Sequence, residues 1–203
     1  MRLFAIAATI SVASLAILAG QAQADEADQS APYAKRLFAA EPAVQGKTFA
    51  CFARRYDAAH LAQHKAQKVT NMTLLVSAEF VPEDKALNYA FSVGVDFRNR
   101  KGKFVSSGDC GHPVASEVSA DKLQLGCGVD CDGGGLSIEM TNADKSVLVR
   151  IDRMSMWDES KADEDQRTGF GGGADDKVFR LDRVGLEQCQ PLMPKDDDTA
   201  EAM

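Results

Sequence analysis

Residues 87–98 alternate between apolar side chains and small or polar ones. The apolar positions are Leu87, Tyr89, Phe91, Val93, Val95 and Phe97. Because successive side chains of a β-strand point to opposite faces, this pattern predicts a strand with one face in a core and the other in water. Parallel sheets bury both faces, so a strand of this kind indicates an antiparallel sheet.

Shorter alternating segments flank this strand on both sides. They cover residues 48–53, 71–80, 104–110, 123–129, 136–140, 147–151 and 177–183. Short turns rich in glycine or charged residues separate most of them. We therefore predict a mainly β fold, a single antiparallel domain of about eight strands arranged as a meandering barrel or a sandwich. An eight-stranded barrel either fills its interior with side chains or holds one small ligand.

Two segments break the strand pattern. Residues 54–67 are rich in good helix formers and contain neither glycine nor proline, so one short helix is predicted there. A second short helix is possible around residues 34–39, within a polar, alanine-rich arm. Residues 157–177 form a long, acidic, glycine-rich connection, and loops of this length in a compact domain are usually functional or mobile.

The first 24 residues have the features of a secretory signal peptide. Arg2 is followed by an apolar run over residues 3–18 and by the small-residue site Ala22-Gln23-Ala24. The alternative is an uncleaved membrane anchor, but the run is short for a spanning helix and no second run follows. We therefore predict a periplasmic or secreted protein with no integral membrane segment after cleavage.

The rest of the chain is predicted to be one β-rich domain, residues 25–190, followed by a disordered acidic tail, residues 191–203. The whole chain has 23 basic and 30 acidic residues, and its formal net charge is −7. Its densest basic patch, residues 98–103, resembles a solvated turn. An acidic chain of this kind is not expected to bind nucleic acid or anionic membranes.

All five cysteines follow the predicted leader and should oxidise in an exported protein. They are Cys51, Cys110, Cys127, Cys131 and Cys189. An odd number leaves one thiol unpaired.

Strand parity selects among the possible pairings. Cys110 has the parity of Phe104, and Cys127 has the parity of Leu125, so both thiols should face the core from neighbouring strands. We predict Cys110–Cys127. We also predict Cys51–Cys189, which would tie the first strand to the chain end after the last strand, with Cys131 in the loop free. The main rival pairs Cys110 with Cys131. Each bond is expected to stabilise the fold by roughly 2–4 kcal/mol.

His60 and His64 are one helical turn apart in the predicted helix. Two imidazoles at this spacing can chelate zinc or copper. A tight site would need a third ligand, which Tyr56, Asp57, His112 or the free cysteine could supply. The alternative is an ordinary pair of surface histidines. The glutamate of the HExxH motif is missing, so the pair is no hydrolase signature.

The segment Asp130-Cys131-Asp132, followed by three glycines, resembles the opening of a calcium loop. Alternate carboxylates can converge on one hard cation. However, the fifth position offers no oxygen ligand, and Glu139 comes too early to close the loop. The alternative is a turn in which aspartate caps backbone N–H groups and glycine adopts positive φ.

Signals for catalysis are weak. Cys110 and His112 are close in sequence, but oxidation is the expected fate of that thiol. The glycine run 169–173 does not join a strand to a helix, so it is a poor phosphate loop. We expect an exported, disulfide-bonded β-domain that binds a small ligand or a protein partner and has no catalysis of its own. The alternative is a periplasmic transition-metal-binding protein that uses His60 and His64.

Overall fold

The computed structural model describes residues 31–118, 122–159, 161, 167–173 and 175–194. The predicted signal peptide, residues 1–24, and residues 195–203 of the predicted tail lie outside these ranges. The strands are β1 (Lys47–Arg55), β2 (Val69–Val81), β3 (Ala86–Phe97), β4 (Lys103–Cys110), β5 (Val114–Ala115), β6 (Leu123–Gly128), β7 (Gly134–Thr141), β8 (Ser146–Asp158), β9 (Thr168–Gly171) and β10 (Val178–Val184). The helices are α1, described over residues 31–38, α2 (Ala58–Gln63) and a 3₁₀ helix (Leu186–Leu192).

The strands form one antiparallel sheet in the order β10-β1-β2-β3-β4-β6-β7-β8-β9, with β5 paired to β6. Strand β10 pairs with both β8 and β1. The series of paired strands that runs from β1 through β2 to β8 therefore continues through β10 back to β1. The prediction of a mainly β, antiparallel domain is confirmed. Its strands belong to one sheet and not to the two separate sheets of a sandwich. The two strands beyond the expected eight are β5 and β9, which are too short to show alternation.

The core lies against the face of β3 that the alternation predicts. Tyr89, Phe91, Val93, Val95 and Phe97 are buried and Leu87 is partly buried. Asn88, on the opposite face of β3, is exposed. The register prediction for this strand is therefore confirmed.

A second, smaller apolar cluster covers part of the opposite face of the sheet. Cys51 and Leu75 pack there against Cys189 and Leu192 of the 3₁₀ helix. The alternation had assigned Leu75 to the polar side of β2, yet it is buried, because the 3₁₀ helix lies over it. Leu192 is also buried, although residue 191 was predicted to begin the tail.

Helix α2 is shorter than the predicted helix of residues 54–67. Arg54 and Arg55 still belong to β1, where they pair with Met72 and Asn71 of β2. The helix begins after Asp57, whose Oδ1 accepts a hydrogen bond of 2.7 Å from the backbone N–H of His60. Pairing with β2 keeps the residues before Tyr56 extended, and the Asp57 cap fixes where α2 begins.

Helix α1 packs its apolar side onto the core at the end of the sheet where β7 turns into β8. Tyr33 and Leu37 are buried. Arg36 forms an ion pair of 2.7 Å with Asp144 in that turn, and Arg183 donates to the carbonyl of Leu37 at 2.8 Å. These contacts hold α1 against the sheet.

No helix in the described ranges is both long enough and apolar enough to cross a membrane.

Glu139 of β7 is the most deeply buried partner of any ion pair in the described residues, and its side chain is 2% exposed. Ser116 Oγ donates to it at 2.8 Å, Lys122 Nζ lies at 3.2 Å, and Arg150 Nη2 lies at 3.6 Å. Burial alone would raise the pKa of Glu139, but these donors and positive charges hold it below its usual value.

We expect acid to remove the stability that ionised Glu139 provides. Because folding lowers its pKa, this contribution is complete above the unfolded value, about 4.3, and is lost as the pH falls through the lower folded pKa. Glu139→Gln should cost about 1–3 kcal/mol at pH 7. Urea unfolding should be measured between pH 7 and pH 3. The difference in free energy of unfolding between wild type and Glu139→Gln should become smaller in acid. Glu79→Gln, at an exposed position, is the control. A free-energy difference between Glu139→Gln and wild type that stays constant with pH would contradict the prediction.

Candidate functional site

The predicted histidine pair lies on α2 and at its end. The His60 and His64 rings stack with centroids 4.3 Å apart, and Tyr56 packs 4.8 Å from His60 on the same strand-helix junction. His60 Nε2 lies 2.9 Å from Oε1 of the buried Gln67, whose amide donates to the carbonyl of Val69. His60 is thus half-buried and oriented by a hydrogen bond, whereas His64 is exposed.

The described residues do not supply the third ligand that a tight metal site requires. Within them, no three His, Cys, Asp or Glu side chains are grouped so that they could hold a metal ion. Asp57 caps α2. Burial raises the pKa of Tyr56 to about 12, so its phenol keeps its proton at neutral pH. Cys131 lies exposed in the turn between β6 and β7.

We expect zinc binding to the purified protein to be weak and to depend on both rings. A ligating imidazole must be neutral, so acid should weaken any binding. Isothermal titration of zinc into wild type, His60→Ala and His64→Ala tests this, with His112→Ala as the control. Equal affinity in all four proteins would show that the pair does not bind zinc.

The loop that carries Asp130 and Asp132 is a tight turn between β6 and β7. Cys131, Asp132 and Gly134 all have positive φ, at 56°, 58° and 74°. A Cβ on Gly134 would lie 2.0 Å from the carbonyl oxygen of Arg153, so only glycine fits there. The turn geometry explains why residue 134 is glycine. Calcium binding by Asp130 and Asp132 stays a sequence prediction.

The structure joins Cys51 to Cys189 and Cys110 to Cys127 and leaves Cys131 free. Both predicted pairs are present, and Cys110, whose pairing strand parity predicts, lies directly opposite Cys127 on β4 and β6. A disulfide-bonded Cys110 has no thiol to act with His112. The bond therefore excludes Cys110 as a nucleophile paired with that histidine.

A cleft of about 780 Å³ lies beside α1, between the segment 41–44, the β2–β3 hairpin and the connection 112–114. Small-molecule sites typically have volumes of about 300–1,000 Å³ and mostly apolar walls. Apolar or small side chains make up most of this lining, including Ala34, Pro42, Val44, Phe80, Leu87 and Val114. Val44 is 78% exposed, so apolar surface reaches out to solvent at this cleft.

Few polar groups meet in the cleft. Tyr89 lines it and is 3% exposed, and its hydroxyl has no hydrogen-bond partner among the described residues. The hydroxyl of Tyr33, on α1, is also buried and without a partner in that part of the chain. Burial raises the pKa of Tyr89 to about 12. Burial also raises the pKa of Tyr33, and the nearby Tyr89 raises it further. Both phenols are therefore neutral donors at pH 7.

Of the residues that line the cleft, only His112 was singled out from the sequence, and then as a possible metal ligand. Tyr89 was assigned only to the core, since strand alternation does not reveal whether a buried hydroxyl has a partner. Val44 belongs to an irregular segment and Val114 to the two-residue strand β5, and both are too short to carry a periodic signal. The cleft forms from four segments that are distant along the chain, so only the fold brings them together.

Two smaller clefts, of about 330 and 420 Å³, lie on the opposite face of the sheet beside the 3₁₀ helix. Serine side chains of β3 and β4, Ser92 and Ser107, line both. Their smaller size and more polar walls make the cleft beside α1 the better candidate. Comparison with known proteins adds no assignment: no family model, curated protein or solved structure matches this chain.

Proposed function

We propose that this chain is an exported domain that binds one small, mostly apolar ligand in the cleft beside α1 and carries out no chemistry on it. The observation that carries the proposal is the cleft itself, with its volume of about 780 Å³ and its apolar lining. A ligand that covers Phe80, Leu87 and Val114 would remove apolar surface from water, which is the main driving force for such binding.

Export rests on the leader features of residues 1–24 and on the two disulfides, which form and persist in oxidising compartments. One bond joins β1 to the 3₁₀ helix, and the other joins the neighbouring strands β4 and β6. A rigid, crosslinked frame around a concave site suits ligand binding, because little order is lost when the ligand enters.

A small ligand suits this site better than a protein partner. A stable protein interface buries about 800 Å² on each partner, usually over a broad surface. The apolar surface here is concave and confined to the walls and mouth of one cleft. The metal-binding alternative concerns α2 and is tested separately by the zinc titration.

A fluorescence titration with the neutral probe N-phenyl-1-naphthylamine tests the proposal. The mature chain beginning at Asp25 should enhance and blue-shift the probe emission. Leu87→Glu places a charge in the cleft wall and should weaken binding at least about tenfold, since a buried unpaired charge is costly. Leu186→Glu makes the same change at an exposed position away from the cleft, and it should bind like wild type.

Thermal unfolding followed by circular dichroism should show both variants folded at the titration temperature. Absence of probe binding by the wild-type protein would overturn the proposal. Equal binding by wild type and a folded Leu87→Glu variant would move the ligand site elsewhere.

A further inference from the structure

We propose that the Tyr89 hydroxyl is the polar end of the cleft and donates a hydrogen bond to the ligand, so that the ligand is an uncharged amphiphile with an oxygen acceptor. This inference rests on the proposed function and adds the ligand's chemical class to it. Tyr89 lines an apolar cleft, and its buried hydroxyl has no hydrogen-bond partner among the described residues, and this combination carries the inference.

The position of the Tyr89 hydroxyl follows from the fold. Strand alternation directs the Tyr89 side chain inward from β3, and Phe38 of α1 stacks on its ring with centroids 6.4 Å apart. Tyr33 is on the same helix and is close enough to Tyr89 for the two to interact electrostatically. Helix α1 therefore holds the Tyr89 ring in place through Phe38.

A buried hydroxyl without a partner is unfavourable compared with its hydrated state. A ligand oxygen that accepts from Tyr89 would supply the missing hydrogen bond. A ligand of the same shape without that oxygen would leave the donor unpaired, and sites with dedicated donors reject such analogues. The cleft should therefore distinguish a carbonyl from a methylene at its inner end.

The charges around the cleft disfavour an anionic ligand. Its lining includes Asp84, Lys85 and His112, which are exposed, and Glu41, which forms an ion pair of 2.7 Å with Lys35. These groups offer no excess of positive charge to an anion. The chain as a whole carries a net charge of −7. A buried carboxylate requires a positive partner, so the lining fits an uncharged acceptor such as a ketone, ester or ether oxygen.

A matched pair of ligands tests the inference. 2-Acetylnaphthalene and 2-ethylnaphthalene have nearly the same shape and differ by a carbonyl in place of a methylene. Each is used to displace N-phenyl-1-naphthylamine from the mature protein. We expect wild type to prefer the ketone by about tenfold, which corresponds to about 1.4 kcal/mol.

Tyr89→Phe should remove this preference and retain 2-ethylnaphthalene binding, because it deletes only the hydroxyl. Tyr56→Phe is the matched control, since Tyr56 is the third tyrosine of the chain and does not line the cleft. It should keep the wild-type preference. Near-ultraviolet circular dichroism of each variant shows that its aromatic packing is intact.

The remaining outcomes are distinct. Equal affinity of wild type for both ligands would overturn the inference and leave the proposed function standing, as expected if an ordered water satisfies the hydroxyls. A preference that survives Tyr89→Phe would also overturn it. Failure of both ligands and of the probe to bind would overturn the proposed function as well.

Discussion

Replacing Phe91 with alanine is expected to lower the free energy of unfolding by about 3–5 kcal/mol. Phe91 is 2% exposed, and its neighbours across the ladders are Val76 on β2 and Gly108 on β4. A Cβ on Gly108 would lie 3.3 Å from Phe91 Cε1, so the ring packs close to that glycine backbone. Gly108 has no side chain that could fill the space left by the ring. The decrease in the free energy of unfolding should therefore be closer to about 5 than to about 3 kcal/mol.

Urea unfolding followed by fluorescence of the single tryptophan, Trp157, measures this loss. Asn88→Ala changes an exposed residue of the same strand and should stay within about 0.5 kcal/mol of wild type. A loss below about 1 kcal/mol for Phe91→Ala would contradict the packing described for β3.

Removal of the Cys51–Cys189 bond is expected to destabilise the protein more than removal of Cys110–Cys127. The first bond closes a sequence separation of 138 residues and the second closes 17. The chain-entropy model gives about 5 kcal/mol for the longer loop and about 3 kcal/mol for the shorter one. The longer bond also anchors the 3₁₀ helix, so its loss should loosen the cover over Leu75.

The double variants Cys51→Ala/Cys189→Ala and Cys110→Ala/Cys127→Ala, unfolded in urea without reductant, provide the comparison. Cys131→Ser is the control, because this thiol is exposed and unpaired. The reverse order of stability, or a large loss for Cys131→Ser, would show that the bonds are connected differently.

The register of β3 could be predicted because alternation reports directly which face of a strand is buried. The same parity argument predicts the Cys110–Cys127 bond, since a cysteine on the core side of one strand meets a core-side cysteine on its neighbour. Both inferences need only local geometry. They do not depend on knowing how distant segments pack.

Leu75 shows where such reasoning stops. Its position on β2 is polar by alternation, yet the 3₁₀ helix more than a hundred residues later covers it, with Cys189 holding that helix in place. The start of α2 is a similar case. The composition of residues 54–67 favours helix throughout, but pairing with β2 keeps Arg54 and Arg55 extended.

By itself, the sequence determined the secondary-structure class, the inward face of β3 and the Cys110–Cys127 pair, because each depends on the two-residue repeat of a strand. The tertiary structure alone decided that the Tyr89 hydroxyl lacks a partner among the described residues and that a cleft opens beside it. Whether a buried donor is satisfied depends on every group that packs around it. Those groups come from α1, two strands and two connections that only folding brings together.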